Sequence, residues 1–243
     1  MSENPYTTLQ APPLPRHPAH GSPYGRFRST DVWVGMIVIF FAIYILLDAV
    51  SVYASWMKIQ FYSASYPDFE SQEYFFIEKL ETLLENTYLV MVFILAFIWC
   101  FWTNLTCKNA WLINSRDGAT ALYRGRESFT PSWAWAWHFI PVLQFWKPFQ
   151  AMAWIRDASQ KSLGLRMGKL LGIWWGLWLL SAVVALSYGA ALFSAKTSAE
   201  LAMAERLNLV TLPTDMLAAG FAIAVATRLT KIQKIRAQEL NLT

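Results

Sequence analysis

The sequence WAWAWHFIPVLQFWKPFQAMAWIRDAS, residues 133–159, combines five tryptophans with two internal prolines. Its first part, residues 133–146, is apolar but has only 14 residues, whereas a helix needs about 20 to cross a bilayer. Pro141 removes a backbone donor there, and Pro148 disfavours a helical conformation at the residue before it. The stretch therefore predicts a broken helix rather than a membrane span.

Tryptophan prefers the headgroup layer of a membrane, where its ring is apolar and its N–H stays hydrated. We therefore expect residues 133–157 to form a re-entrant or interfacial segment, covered by other helices because irregular backbone at this depth needs protein around it. Aromatic rings beside basic side chains are typical of a docking surface, which predicts partner or lipid binding. The residues assigned to this surface are Trp133, Trp137, Phe139, Pro141, Trp146, Lys147, Pro148, Gln150 and Arg156.

A wider pattern surrounds this stretch: an Asn precedes a Trp-rich run, a Phe-x-Pro and a Trp-basic-Pro-aromatic-Gln block. Its residues are Asn109, Pro131, Trp133, Trp137, Phe139, Pro141, Trp146, Lys147, Pro148, Gln150, Met152 and Ser159. The pattern resembles the bacterial membrane-protein family known as domain of unknown function 4328, although Phe149 replaces the family's Tyr and Gln144 its usual Asn. The resemblance covers residues 32–236 and implies a multi-span membrane fold. It carries no known activity, so it transfers no catalytic residue.

The composition indicates an all-α integral membrane protein. Hydrophobic residues make up 56% of the 243 residues and charged residues 15%, whereas soluble domains are about 45–50% apolar and about 25% charged. Four apolar runs predict transmembrane helices, and together with the broken segment they form a single membrane domain over residues 30–236. The predicted spans are residues 32–53, 86–107, 170–193 and 212–228.

The segments outside these spans have their own predictions. Residues 1–29 hold six of the eleven prolines and predict a disordered tail, and residues 237–243 form a second tail. The second helix is expected to begin near Glu73 and to continue to about Asn114. Thr197 and Glu200 form a capping-box pattern for a short helix to about residue 208, after which Pro213 begins the fourth span.

Lysine and arginine are unevenly distributed. Segments 1–31, 103–132, 147–169 and 228–243 hold 16 of the 20 such residues. The positive-inside rule then predicts cytoplasmic termini in a multi-pass protein of the cell inner (plasma) membrane. It also predicts that both flanks of residues 133–146 lie on the cytoplasmic side, which favours re-entry over a fifth span.

Two acidic residues lie within predicted spans. Asp48 is about 24 Å from the start of the first helix, and Asp215 lies in the first turn of the fourth span. An intramembrane carboxylate predicts a proton or cation site. The alternative is that Asp215 complements its helix N-terminus while Asp48 reaches the outer headgroups. Glu78, Glu81 and Glu85 are interpreted as a solvated acidic face of the second helix, with weak cation binding as the alternative.

The sequence contains no metal-ligand spacing, catalytic triad order or phosphate-binding loop, so we expect no enzyme activity, no cofactor and no metal. The basic residues have a sufficient explanation in anionic lipids, which argues against nucleic-acid binding. These patterns favour a non-enzymatic scaffold, or a partner- or lipid-binding protein, that uses residues 133–157. The alternative is a small, oligomeric transporter or channel-like protein that uses Asp48 and Asp215.

Overall fold

The computed structural model describes residues 24–116, 129–160 and 167–242, and all regular structure in these ranges is helical. The helices are α1 (Asp31–Tyr62), α2 (Gln72–Arg116), α3 (Pro131–Ala136), α4 (Lys147–Gln160), α5 (Leu170–Ser194) and α6 (Ser198–Glu239). Two short 3-10 turns, Trp137–Phe139 and Leu143–Phe145, lie between α3 and α4. The helix is therefore broken where the two prolines and the tryptophans predicted a break.

Four helices, α1, α2, α5 and α6, are long and apolar enough to cross a membrane. The prediction of an all-α chain with four such helices is confirmed at this level. Three of them extend well beyond the predicted spans, because α1 has 32 residues, α2 has 45 and α6 has 42. The predicted N-terminal tail lies mostly outside the described residues, and α6 continues to Glu239, into the segment predicted as a C-terminal tail.

The four long helices form one bundle, in which α6 packs along both α1 and α5 and α1 also packs along α2. The start of α1 meets the last turns of α6, where Thr30 Oγ1 lies 3.0 Å from Thr230 Oγ1 and Lys234 Nζ lies 2.7 Å from Asp31 Oδ2. We call this end of the bundle the terminal end. The opposite end, which holds the connections at residues 63–71 and 195–197, is called the loop end.

Helix α6 is continuous through Pro213. The predicted capping box is present, because Thr197 Oγ1 accepts a hydrogen bond from Glu200 N at 3.3 Å and Glu200 Oε2 accepts one from Thr197 N at 3.0 Å. The predicted end of this helix near residue 208 and the separate span from Pro213 are wrong. An internal proline removes one helical hydrogen bond, but packed neighbouring helices tolerate such a residue in apolar bundles.

Aromatic side chains fill the bundle between its middle and its terminal end. The Trp99 ring lies 4.9 Å from Trp102, 5.3 Å from Trp174 and 6.3 Å from Phe41, measured between centroids. Trp102 is fully buried and its Nε1 donates a hydrogen bond to Thr230 Oγ1 at 3.2 Å. We call these four side chains the tryptophan layer. It joins α1, α2 and α5 and contains no charged group.

The short helices α3 and α4 pack on α2, and α4 also contacts α6. Buried Gln233 holds three helices together, because its Nε2 donates to Thr106 O at 2.9 Å and to Ser159 Oγ at 3.0 Å. Asn109, the first residue of the Trp–Pro pattern, lies inside α2. Its Nδ2 donates a hydrogen bond to Arg28 O at 2.8 Å, and its Oδ1 accepts one from Arg28 N at 3.1 Å. These two bonds fix the segment before α1.

Candidate functional site

Helix α1 presents one continuous polar stripe to the inside of the bundle. Asp48, Ser51, Ser55 and Lys58 are spaced three or four residues apart, so they share one helix face. All four are buried. Buried acidic and basic residues are costly in an apolar environment unless they have partners, so the groups that face this stripe identify the candidate site.

Asp48 is bound by hydroxyl groups. Its Oδ1 accepts a hydrogen bond from the Tyr88 hydroxyl of α2 at 2.7 Å, and the same hydroxyl lies 3.0 Å from Ser51 Oγ. The Tyr44 ring packs edge-on against Tyr88 with centroids 5.5 Å apart. The second oxygen, Asp48 Oδ2, is buried without a hydrogen-bond partner. Asp48 is only 1% exposed, so it points into the bundle and not to the surface that the headgroup interpretation requires.

Asp215 of α6 faces the same region from the other side. It accepts a hydrogen bond from Ser181 Oγ of α5, it is partly exposed, and it lies near enough to Asp48 and Tyr44 for their charges to interact. Within the described ranges, no Lys, Arg or His forms an ion pair with either carboxylate. Asp48 and Asp215, with the hydroxyls of Ser51, Tyr88 and Ser181, are called the carboxylate pair site.

A second polar cluster lies toward the loop end. Lys58 Nζ is 3.0 Å from Glu205 Oε1 of α6 and also pairs with Glu81 of α2. The Tyr188 hydroxyl of α5 donates to Glu205 Oε1 at 3.3 Å, whereas Glu205 Oε2 is buried without a partner. The Glu205 side chain is 1% exposed and that of Glu81 is 35% exposed. These residues are called the ion-pair site.

One hydrogen bond lies between the two clusters. Asn208 Nδ2 of α6 donates to Ser55 Oγ of α1 at 2.9 Å. On α1, Ser55 lies one helical turn from the Ser51 of the carboxylate pair site and about one turn from Lys58. The two sites and this bond therefore form a single file of polar groups, called the polar column, within one chain.

The carboxylate pair site offers oxygen atoms alone. Carboxylate and hydroxyl oxygens suit a proton or a hard cation, and a site with two carboxylates and no basic partner favours binding of positive charge. In the described part of the chain, no group of three or more His, Cys, Asp and Glu residues could hold a metal ion. A set of oxygen atoms alone suits a proton or a hard cation better than a transition metal that prefers nitrogen or sulfur ligands.

The Trp–Pro segment, residues 133–157, forms a separate surface near the terminal end. Trp133 stacks on Trp137 with centroids 4.7 Å apart, and Lys147 Nζ lies 5.8 Å from the Trp137 ring. Several large apolar side chains are exposed around these rings, and we call them the aromatic patch. They are Trp133 (50%), Phe139 (59%), Val142 (62%), Phe145 (41%) and Trp146 (42%).

The remaining predicted residues of this segment divide between its two faces. Pro141 and Gln150 are exposed, whereas Pro148 is buried in α4. Arg156 Nε donates to Asp157 Oδ1 at 2.7 Å, so its charge is partly neutralised. Sequence assigned all nine to one docking surface; of these, Trp133, Trp137, Phe139, Trp146 and Lys147 form or border the aromatic patch, whereas Pro148 is buried.

The turn that carries the aromatic patch is strained at one residue. Val142 has a φ of 69°, which is rare for a β-branched residue. Leu143 N donates to Pro141 O at 2.8 Å across it and closes a three-residue turn. A non-glycine residue in such a conformation costs of order 1–3 kcal/mol. The surrounding fold thus holds the exposed Val142 side chain outward at a free-energy cost.

His138 lies on the inner side of the same segment. Its Nδ1 is 3.0 Å from Trp135 O, and its Nε2 is buried without a partner among the described residues. Burial lowers the pKa of His138 below its ordinary value of 6.5, so the neutral ring is favoured near pH 7. His138 is therefore a packed histidine among aromatic side chains.

Sequence reasoning missed the ion-pair site. Ending the first span at residue 53 left Lys58 in a loop, and Glu81 was grouped with solvated acids. Glu205 fell in the predicted short helix and received no role. A detectable signal was present: Glu205, Asn208 and Asp215 recur at helical spacing in α6, as do Asp48 and Lys58 in α1.

Comparison with known proteins places the chain in a family. Residues 79–234 match the family described as Domain of unknown function (DUF4328). A comparison with curated proteins and with solved structures gave no match. The matched region covers α3, α4 and α5 and most of α2 and α6, including Glu81, Tyr88, Ser181, Glu205 and Asp215. Because it exceeds half of the 243 residues, the chain belongs to the DUF4328 family, as the pattern of its Trp–Pro segment predicted.

Proposed function

We propose that this protein is a small membrane transporter that binds a proton or a monovalent cation at the carboxylate pair site. The observation that carries the proposal is Asp48: it is buried, it accepts a hydrogen bond from Tyr88, and among the described residues its second oxygen has no hydrogen-bond partner and no Lys, Arg or His forms an ion pair with it. The carboxylates and hydroxyls of the site all come from one chain. The proposal assigns no catalytic reaction to the chain.

The proposal includes insertion in the inner (plasma) membrane with four spans. The length and apolar character of α1, α2, α5 and α6 support it. The excess of Lys and Arg in segments at the terminal end supports a cytoplasmic location for that end and for both termini. The loop end then faces the opposite compartment.

The free-energy cost of an ionised carboxylate inside a membrane-spanning bundle supports a functional role for Asp48. An Asp at the centre of a spanning helix costs about 3 kcal/mol on insertion scales, and intramembrane acids commonly mark ion or proton sites. Asp48 and Asp215 also repel each other when both are ionised. Binding a proton or a cation between them lowers both the cost of the buried charge and the repulsion between the carboxylates. A purely structural role does not explain why one Asp48 oxygen is buried without a partner.

Carbodiimide labelling tests whether Asp48 binds a proton. Dicyclohexylcarbodiimide adds to a protonated carboxyl group in an apolar environment and leaves a stable N-acylurea. We expect labelling of Asp48 in the purified protein, detected by peptide mass spectrometry, and a loss of labelling in alkaline buffer. Competition by sodium or potassium ions at constant pH would identify a metal cation as a second ligand of the site.

Asp31 provides the internal control for this labelling. Its side chain is 52% exposed and pairs with Lys234, so its carboxylate stays hydrated and should not be labelled. Absence of label on Asp48 from acidic to alkaline pH, in protein that remains folded, contradicts the proposal.

A second candidate function, lipid binding at the aromatic patch, is favoured by a separate observation. The patch combines exposed rings with Lys147 beside Trp137. Rings of this kind sit in the headgroup layer, and a basic residue attracts an anionic headgroup with about 1 kcal/mol. We propose that the patch binds anionic lipids of the cytoplasmic leaflet.

Lipid retention tests this second function. Trp146→Ala with Lys147→Ala should accumulate normally but retain about fivefold less anionic lipid, which corresponds to about 1 kcal/mol. Quantitative mass spectrometry of co-purified lipids measures it. The matched control is Phe193→Ala with Lys196→Ala, an exposed aromatic and basic pair at the loop end. Equal retention by wild type and both variants contradicts a lipid role for the patch.

A further inference from the structure

The polar column reaches the surface of the protein in one direction. From the carboxylate pair site toward the loop end, the inside of the bundle presents Ser55, Asn208, Lys58, Glu205 and Glu81 in succession. Adjacent groups are about one helical turn, or about 5 Å, apart along their helices, a gap that one water molecule can bridge. The Glu81 side chain, 35% exposed, lies at the outer end of this succession.

The opposite direction is closed by apolar side chains. On α2, the buried residues between Tyr88 and Trp102 are all apolar, namely Met91, Leu95, Ile98 and Trp99. On α6, the buried residues between Asp215 and Thr230 are also all apolar, namely Ala218, Ala219, Ala222, Val225, Ala226 and Leu229. The interval is about 20 Å long on each helix. It contains the tryptophan layer, whose rings pack against one another.

Small ions and protons need a succession of polar groups or water to reach a buried carboxylate. The two directions therefore differ, because one has a polar group at nearly every turn, whereas the buried residues of α2 and α6 in the other are all apolar over about 20 Å. Lys58 lies within the polar direction but does not block it, since two carboxylates neutralise its charge and leave Glu205 Oε2 free of a partner.

We infer that the carboxylate pair site exchanges its ligand with water through the loop end alone, along the polar column, with the ion-pair site as its entrance and the tryptophan layer as its closed side. This inference rests on the proposed function for the identity of the ligand, but the route itself is a property of the bundle. Transport across the membrane then requires a second conformation in which the tryptophan layer opens.

Two buried positions with the same exposure provide a direct test. Ser55, in the polar column, and Ala222, beyond the carboxylate pair site, are each 3% exposed. Each is replaced by cysteine in a variant that lacks the native Cys100 and Cys107. Silver ions are added outside sealed vesicles, and thiols that remain free are counted with a maleimide after unfolding in detergent. Ala199→Cys marks the loop end and Ser132→Cys marks the terminal end, both at exposed positions.

We expect Ser55→Cys to be blocked to the same fraction as Ala199→Cys, and Ala222→Cys to stay free. The comparison uses vesicles in which the protein is inserted more often in one orientation than in the other. Ala199→Cys and Ser132→Cys are then blocked to different fractions. The inference is overturned if the cysteine of Ser55→Cys stays free or is blocked to the same fraction as that of Ser132→Cys. It is also overturned if the cysteine of Ala222→Cys is blocked. A blocked Ser55→Cys together with an unlabelled Asp48 keeps the route but removes the proposed ligand, so the two failures are distinguishable.

Discussion

Lys58→Met is expected to lower the free energy of unfolding by about 3–5 kcal/mol, the usual cost of removing one partner of a buried ion pair. The Glu205 side chain is 1% exposed, and Lys58 is its cationic partner at 3.0 Å. Without the ammonium group, Glu205 keeps only the hydroxyl of Tyr188. Unfolding of the purified protein in mixed detergent micelles, followed by tryptophan fluorescence, measures the loss.

Two further variants test the cause of this loss. Lys58→Met with Glu205→Met should restore most of the stability, because apolar residues of similar volume replace buried ion pairs at little cost, and the partly exposed Glu81 can turn to solvent. Lys79→Met, at an exposed position of α2, should stay within about 0.5 kcal/mol of wild type. If Lys58→Met is as stable as Lys79→Met, the ion-pair site does not stabilise the fold, which contradicts this prediction.

Features with a local cause could be predicted from the sequence. The broken backbone near Pro141 follows from proline chemistry and a short apolar run, and the Thr197–Glu200 capping box follows from spacing within one turn. The extents of the long helices were harder to predict, because polar residues such as Lys58 and Asn208 suggest the end of an apolar span. In the fold these residues face one another, so the helices continue past them.

The candidate site could be predicted only in part for the same reason. Asp48 and Asp215 were identified because an acid within an apolar run is conspicuous by itself. Their partners Tyr88 and Ser181 come from other helices, about 40 and 34 residues away in the sequence, and no local pattern links them. The direction in which Asp48 points likewise depends on how α1 packs against α2 and α6. This packing cannot be derived from the sequence of α1 alone.

The most direct measurement of the central claim, transport through Asp48, is the decay of an imposed pH gradient in proteoliposomes, followed with an enclosed pH-sensitive dye. Wild-type protein is expected to dissipate the gradient faster than protein-free vesicles. Asp48→Asn should reduce the rate to that of protein-free vesicles, because an amide cannot bind a proton or neutralise a cation. Asp31→Asn, which changes an exposed carboxylate paired with Lys234, should keep the wild-type rate.

A parallel series with a sodium or potassium gradient, followed with the matching ion-sensitive dye, identifies the ligand if the pH gradient is unaffected. One of these gradients is expected to decay through wild type and Asp31→Asn but not through Asp48→Asn. Equal decay for all three proteins, or decay through wild type no faster than through protein-free vesicles with every gradient, would contradict it.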